Sequence, residues 1–294
     1  MIKRLCPLVL LAACIDVPAD APPDAALPDA PPAPDPWTRL IARSWSIPAG
    51  ATDTYRCVRT QVTQDTWIAG YKALGPPGTH HTVLTVTDEL NGPVGEYDCS
   101  AGTLDLQMLY AAGIGTDDLS FPPGVAMRVK AGQYINLNLH LFNVTDQSLS
   151  GTSGVLVKTL TPDQVVHEAD MTFAGNLEFT IPSDGHPHDV LGGCTVPRDW
   201  HVFAMWPHMH QHAIHHTVTL NGTTKLLDDS FQFGEQKNYP MDVVLPAGSR
   251  LDTTCTFVNN TGAPLTFGDS SNSEMCFTGM YRWPAGGTLF DCAN

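Results

Sequence analysis

The chain has 294 residues, 43% of them hydrophobic, which is enough to bury one or two cores and excludes an intrinsically disordered protein. Its formal charge of −15 includes +2 on residues 1–14 and −5 on residues 15–36, which leaves −12 on the remainder with no basic patch. Nucleic acid is excluded as a partner on that ground.

Residues 1–14 read as an export signal. Lys3 and Arg4 precede an apolar run over 8–13, and Leu11-Ala12-Ala13-Cys14 has the small residues before cysteine that suit a bacterial lipoprotein peptidase. Cys14 is then expected to be the acylated first residue, the alternative being an ordinary signal peptide with Cys14 incidental. The run is too short for a transmembrane helix, which needs roughly 20 residues. Residues 15–36 hold eight Pro, six Ala and five Asp, a composition that builds no core and predicts an extended tether. The expected location is therefore exported and lipid-anchored to a bacterial membrane, periplasmic or on the outer surface, with no other membrane contact.

With Cys6 in the signal and Cys14 acylated, six cysteines remain: Cys57, Cys99, Cys194, Cys255, Cys276 and Cys292. An even number in an exported chain predicts three disulfides, although fifteen pairings are open from sequence alone.

From Trp37 onward the chain alternates short β-type runs with Gly, Pro, Asn and Asp. Strands are predicted over 55–62, 82–87, 126–130, 134–142, 154–160, 177–181, 201–206, 242–245 and 250–258. Asn221-Gly222 predicts a hairpin between 216–220 and 223–227, because both residues tolerate positive φ. No repeat of fixed period is evident. The expected fold is all-β, two tandem antiparallel jelly-roll-like β-sandwich domains over 37–168 and 169–294.

In 134–142, alternation places Ile135, Leu137, Leu139 and Leu141 on one face and Asn136, Asn138 and His140 on the other, away from the core. Around 206–212, His208, His210 and His212 share a face with Trp206, while Pro207 suggests an edge or bulge. His208-x-His210 therefore presents two imidazoles to one ion. His80-His81 can serve one ion only at a turn or strand start, where Gly75-Pro76-Pro77-Gly78 supplies irregular backbone. His186-x-His188 and His215-His216 match the same spacings, and spacing alone does not choose among them. His186, His188, His212, His215 and His216 are expected at the surface or supporting a ligand imidazole. Met275 is a soft thioether ligand if it faces two imidazoles, where it favours Cu(I) over Zn(II).

The order His80-His81, then His140 in Leu-His-Leu-Phe-Asn, then His208-Met-His210, then Ser273-Glu-Met-Cys276 resembles the copper type II, ascorbate-dependent monooxygenases, the family of peptidylglycine α-hydroxylating monooxygenase and dopamine β-hydroxylase. The resemblance covers about Cys57 to Cys292. It implies two copper ions, one on His80, His81 and His140 that stores and delivers an electron, the other on His208, His210 and Met275, where O₂ is activated and a substrate C–H bond is hydroxylated. It also implies the disulfides Cys57–Cys99, Cys194–Cys292 and Cys255–Cys276, and ascorbate or another one-electron donor as co-substrate.

The chain departs from the peptide-amidating members at their carboxylate clamp. Trp206 stands where they have an Arg, and Phe277 and Gly279 replace polar or aromatic residues after Met-Cys. A small apolar or aromatic substrate is expected, and the protein is expected to be a monomer. The rival readings are a copper-binding or copper-delivery lipoprotein without turnover, and a sugar-binding or adhesive β-sandwich with incidental histidines.

Overall fold

A computed structural model describes residues 35–51, 53–102 and 107–294. The expected signal segment, Cys14 and residues 15–34 of the tether lie outside the described residues.

The first ten strands are β1 (Thr38–Ile47), β2 (Thr54–Gln61), β3 (Thr66–Leu74), β4 (Thr79–Thr87), β5 (Gly95–Asp98), β6 (Gln107–Gly113), β7 (Leu119–Ser120), β8 (Val125–Val129), β9 (Tyr134–Leu141) and β10 (Leu149–Leu160). They are followed by β11 (His167–Asn176), β12 (Thr180–Ile181), β13 (Pro187–Thr195), β14 (Trp200–His208), β15 (Ala213–Leu220), β16 (Thr224–Ser230), β17 (Tyr239–Leu245), β18 (Arg250–Val258), β19 (Leu265–Thr266), β20 (Cys276–Trp283) and β21 (Cys292–Ala293). Among the described residues the one helical element is a 3-10 turn at Pro162–Gln164. The fold is all-β, as expected.

Pro36–Asn294 forms one compact unit. Its largest sheet runs β1-β10-β3-β8-β11-β20-β14-β17. β11 joins its two halves, since residues 167–169 pair in parallel with β8 and residues 170–176 pair antiparallel with β20. A five-stranded sheet, β5-β2-β9-β4-β6, packs on the first half, and a four-stranded sheet, β13-β18-β15-β16, packs on the second. One apolar core continues across both, from Leu84, Tyr110 and Leu137 to Phe173, Trp206 and Phe277.

The alternation read in β9 is correct, with Ile135, Leu137, Leu139 and Leu141 in the apolar core, but the opposite, polar face is buried as well. Asn136, Asn138 and His140 are each 3% exposed. The segment holding β5 and the Cys57–Cys99 bridge covers that face, where Asn138 Nδ2 donates to Ser100 O and Tyr97 Oη donates to Asn136 Oδ1. Buried amides persist there because each finds a partner.

The sequence shows no periodic repeat, yet the two smaller sheets repeat one design. In the first, Thr79 pairs with Leu141 and His81 with His140, so His80 is the extra residue of a bulge. In the second, Ala213 pairs with Phe257 and His215 with Thr256, so Ile214 is the extra residue. Both central strands end in the same turn. Asn143 Nδ2 donates to Pro48 O and Gln147 O while Oδ1 accepts from Thr145; Asn259 Nδ2 donates to Ile181 O and Ala263 O while Oδ1 accepts from Thr261.

Three disulfides form, Cys57–Cys99, Cys194–Cys292 and Cys255–Cys276, which uses all six body cysteines. Such a framework places the folded body in an oxidising, exported compartment. Among the described residues no helix is long and apolar enough to cross a membrane.

Candidate metal centres

The bulge at His80 solves the geometric problem of adjacent histidines. An extra residue lets two successive side chains turn toward one side, and His80 Nδ1 lies 3.1 Å from His81 Nδ1, which lies 3.4 Å from His140 Nδ1. The ligand atoms of all three imidazoles fall within 4.8 Å of one another. His140 is held from behind, stacked on Tyr55 with ring centroids 4.5 Å apart and 5° between planes. Its Nε2 lies at ion-pair distance from Asp53 Oδ1, 2.9 Å, off the line of the ring N–H. A carboxylate behind a ligand imidazole orients the ring and raises its basicity.

His208 closes β14, and His210 follows in a turn rather than on the strand. Pro207 sits beyond the last β17 partner, which pairs with Met205, and so has only β20 beside it; the bulge in β14 lies instead between Val202 and Ala204. His208 and His210 nonetheless converge, with centroids 5.3 Å apart. His208 donates Nδ1–H to Gln236 Oε1 at 3.1 Å, and His210 donates Nδ1–H to Ser273 O at 2.9 Å. Each bond fixes the tautomer that leaves Nε2 as a free lone pair.

Glu274 ties this strand end to the methionine segment. Fully buried, it accepts the backbone N–H of His210 at 2.8 Å and of His212 at 2.8 Å. Burial pushes its carboxyl up to about 7, against the lowering effect of these N–H donors and that of Met275. Met275 is thus pinned between Glu274 and the Cys255–Cys276 bridge.

One member of the first cluster, His81, and two of the second segment, His208 and Met275, line one cavity of about 70 Å³, together with Phe173, Trp206 and Phe277. Phe233 touches both histidine groups, 5.2 Å from the His80 ring and 6.0 Å from that of His210. Trp206 stacks on His208 at 4.7 Å. A Cβ on its neighbour Gly279 would lie 2.5 Å from Met171 Cε and 3.2 Å from Trp206 Cε3, so glycine there makes room for the indole.

No family model matches the chain. No curated protein matches it either. Among solved structures it is similar to one titled "Structure of infectious bursal disease virus Gx strain", at 8% identity over 84% of this chain and 72% of that chain. The TM-score of 0.21 is too low for that likeness to bear on function.

The donor sets fit soft, redox-active metal. Three convergent neutral imidazoles suit copper, and two imidazoles beside a thioether suit Cu(I) in particular. Burial keeps the rings neutral: His81 is held well below its usual value, also by its neighbours His140, His80, His208 and His210, while His140 falls to about 4 and His208 to about 3. His80 and His210 are lowered by burial as well.

The remaining histidines separate from the clusters. His188 Nε2 bonds Asp184 at 2.8 Å and His215 Nε2 bonds Asp228 at 2.8 Å, both at the surface, as expected. His216 is not at the surface; it is 1% exposed and bonded to Thr278 Oγ1 at 2.8 Å, behind the strand that carries Pro207. Sequence reasoning missed Asp53, Tyr55, Gln236 and Phe233 altogether, and no spacing signal marks them.

These directions set a pH dependence for the metal-free protein. The unfolded chain protonates its imidazoles near 6.5, whereas the folded His208 resists until about 3 and His140 until about 4. Folded-state values below the unfolded one mean that stability is fully present above about pH 6.5 and is lost as pH falls toward 3–4. The Tm of metal-free protein is expected to drop between pH 7 and pH 4.5, and the drop to shrink in His208→Ala. An unchanged Tm over that range would contradict the buried neutral clusters.

Proposed function

We propose that the protein is a copper-dependent monooxygenase that hydroxylates a C–H bond of a small apolar or aromatic substrate, using O₂ and an external reductant such as ascorbate. The observation that carries this reading is that His81, from the three-imidazole cluster, and His208 and Met275, an imidazole and a thioether from the second segment, line a single cavity with Phe173, Trp206 and Phe277. His80, His81 and His140 would hold one copper, and His208, His210 and Met275 the other; bound copper would supply one-electron transfer and O₂ activation there.

The chain's own residues do the positioning. Asp53, Gln236 and Ser273 O orient three of the imidazoles. Phe173, Trp206 and Phe277 exclude water and offer an apolar wall beside His208 and Met275. The cavity is about half the size of an apolar cavity of ~150 Å³ that admits benzene, so one end of a substrate fits and the rest extends outward. Overall, substrate C–H, O₂, two electrons and two protons give C–OH and water. No side chain is required as a general base.

The protein is proposed to act as an exported monomer, lipid-anchored through Cys14 by a Pro/Ala/Asp tether, with no nucleic-acid partner. The second reading is a copper-binding or copper-delivery lipoprotein, which the same ligand sets favour. Oxygen uptake separates the two: copper-loaded protein with ascorbate is expected to consume O₂ faster when a small aromatic substrate is added. Tight copper binding with no substrate-dependent uptake would favour the copper-handling reading.

A further inference from the structure

Arg59 on β2 is 5% exposed and, among the described residues, has no carboxylate within ion-pair distance. Its Nη1 donates to Asn91 O and Pro93 O, its guanidinium carbon lies 5.4 Å from the Tyr97 ring centroid, and its Nε–H has no hydrogen-bond partner. The contrast is Arg282, equally buried but 3.3 Å from Asp170. An uncompensated buried charge costs several kcal/mol, and carbonyl oxygens and a π face compensate only part of that cost.

Beside Arg59 lies a cleft of about 260 Å³, walled by Tyr97, Ser100, Asn136, Asn138 and the Cys57–Cys99 bridge, with no acidic side chain in its lining among the described residues. Asn136 pairs directly across from Arg59. Asn136, Asn138 and His140 share one face of β9, so the cleft begins about 7 Å along the strand from His140 and Arg59 lies about 13 Å away, at roughly 3.3 Å per residue. In a chain of net charge −15, general electrostatics repels anions, so a lone buried guanidinium in a neutral polar cleft is a local device for one.

We infer that this cleft, which begins two residues along β9 from His140, binds a small organic anion of the carboxylate or enediolate class. The role of that anion as electron donor rests on the proposed function; the binding itself does not.

The test is calorimetric titration of the exported, metal-free protein with ascorbate under anaerobic conditions and, separately, with acetate as a redox-inert carboxylate. Arg59→Gln removes the donor to Asn91 O and so alters the loop along with the charge. Asn136→Asp instead keeps the oxygen that accepts from Tyr97 Oη and places a fixed carboxylate opposite Arg59. Saturable ascorbate binding in the native protein, weakened tenfold or more in Asn136→Asp and largely kept in Arg59→Lys, is the expected result. Tighter binding of ascorbate than of acetate assigns the enediolate, and equal binding a general carboxylate. Absence of saturable binding, or equal affinity in Asn136→Asp, overturns the inference. Because no metal is present, either result is independent of whether the copper centres turn over.

Discussion

Replacing Met275 by Ile is expected to abolish reductant-driven O₂ uptake while leaving the fold in place. Met275 is 6% exposed and packs in the continuous core, so an aliphatic residue of similar volume costs under about 1.5 kcal/mol. What the change removes is the sulfur of Met275, a soft donor on the same cavity wall as His208. Loss of a metal ligand should exceed the roughly 10–100-fold effect of losing a supporting group, so uptake should fall by about 100-fold or more at full copper loading of the all-imidazole centre. Circular dichroism and Tm check the fold, and an oxygen electrode checks the activity. Unchanged uptake in a folded Met275→Ile protein would mean that the thioether is core filling and the oxygen centre lies elsewhere.

The second large effect is expected at Glu274. Its carboxylate is the buried acceptor for two backbone N–H groups, those of His210 and His212. Glu274→Ala leaves both unpaired at about 1–3 kcal/mol each, so a loss on the order of 4 kcal/mol is expected, or roughly 10 °C in Tm for a body of this size. The same change frees the His210 backbone from Met275. Copper should be lost from the His208/His210/Met275 set while the His80/His81/His140 set keeps its ion. Elemental analysis and thermal melting, run together, distinguish this from general unfolding: loss of both ions, or a Tm within 2 °C of the native protein, would contradict the positioning role.

The sequence carried more of the site than of its support. The 250–258 strand coincides with β18. The Asn221-Gly222 hairpin also forms as expected, with φ of 53° and 67°. Strands such as β20 were not legible, because a strand buried on both faces loses alternation: Thr278, Gly279 and Arg282 interrupt it, and all three are buried. The segment 177–181, read as a strand, is reduced to the two-residue β12.

Among histidines, spacing made His80-His81 and His215-His216 equivalent, but the fold sets them one residue apart in register: the bulge residue is His80 in the first sheet and Ile214 in the second, so His215 takes the place of His81, and His81 pairs with His140 where His215 pairs with Thr256. Only the second strand, about sixty residues away in the first case and about forty in the second, decides which pair can close a three-histidine set. Asp53 reaches the centres from the loop before β2, and Phe233 and Gln236 from the loop between β16 and β17, placements that no local pattern encodes. The duplication itself stayed hidden because it lies in bulges and in the Asn-x-Thr turns at Asn143 and Asn259, not in a fixed period.

The most direct test of the central claim is copper per chain, by elemental analysis, on the body Pro36–Asn294 purified from an oxidising compartment and loaded with copper. Two tightly held ions are expected, falling to one in His208→Ala/His210→Ala. One ion or none in the native body, or two retained in that double variant, would contradict a two-centre copper enzyme.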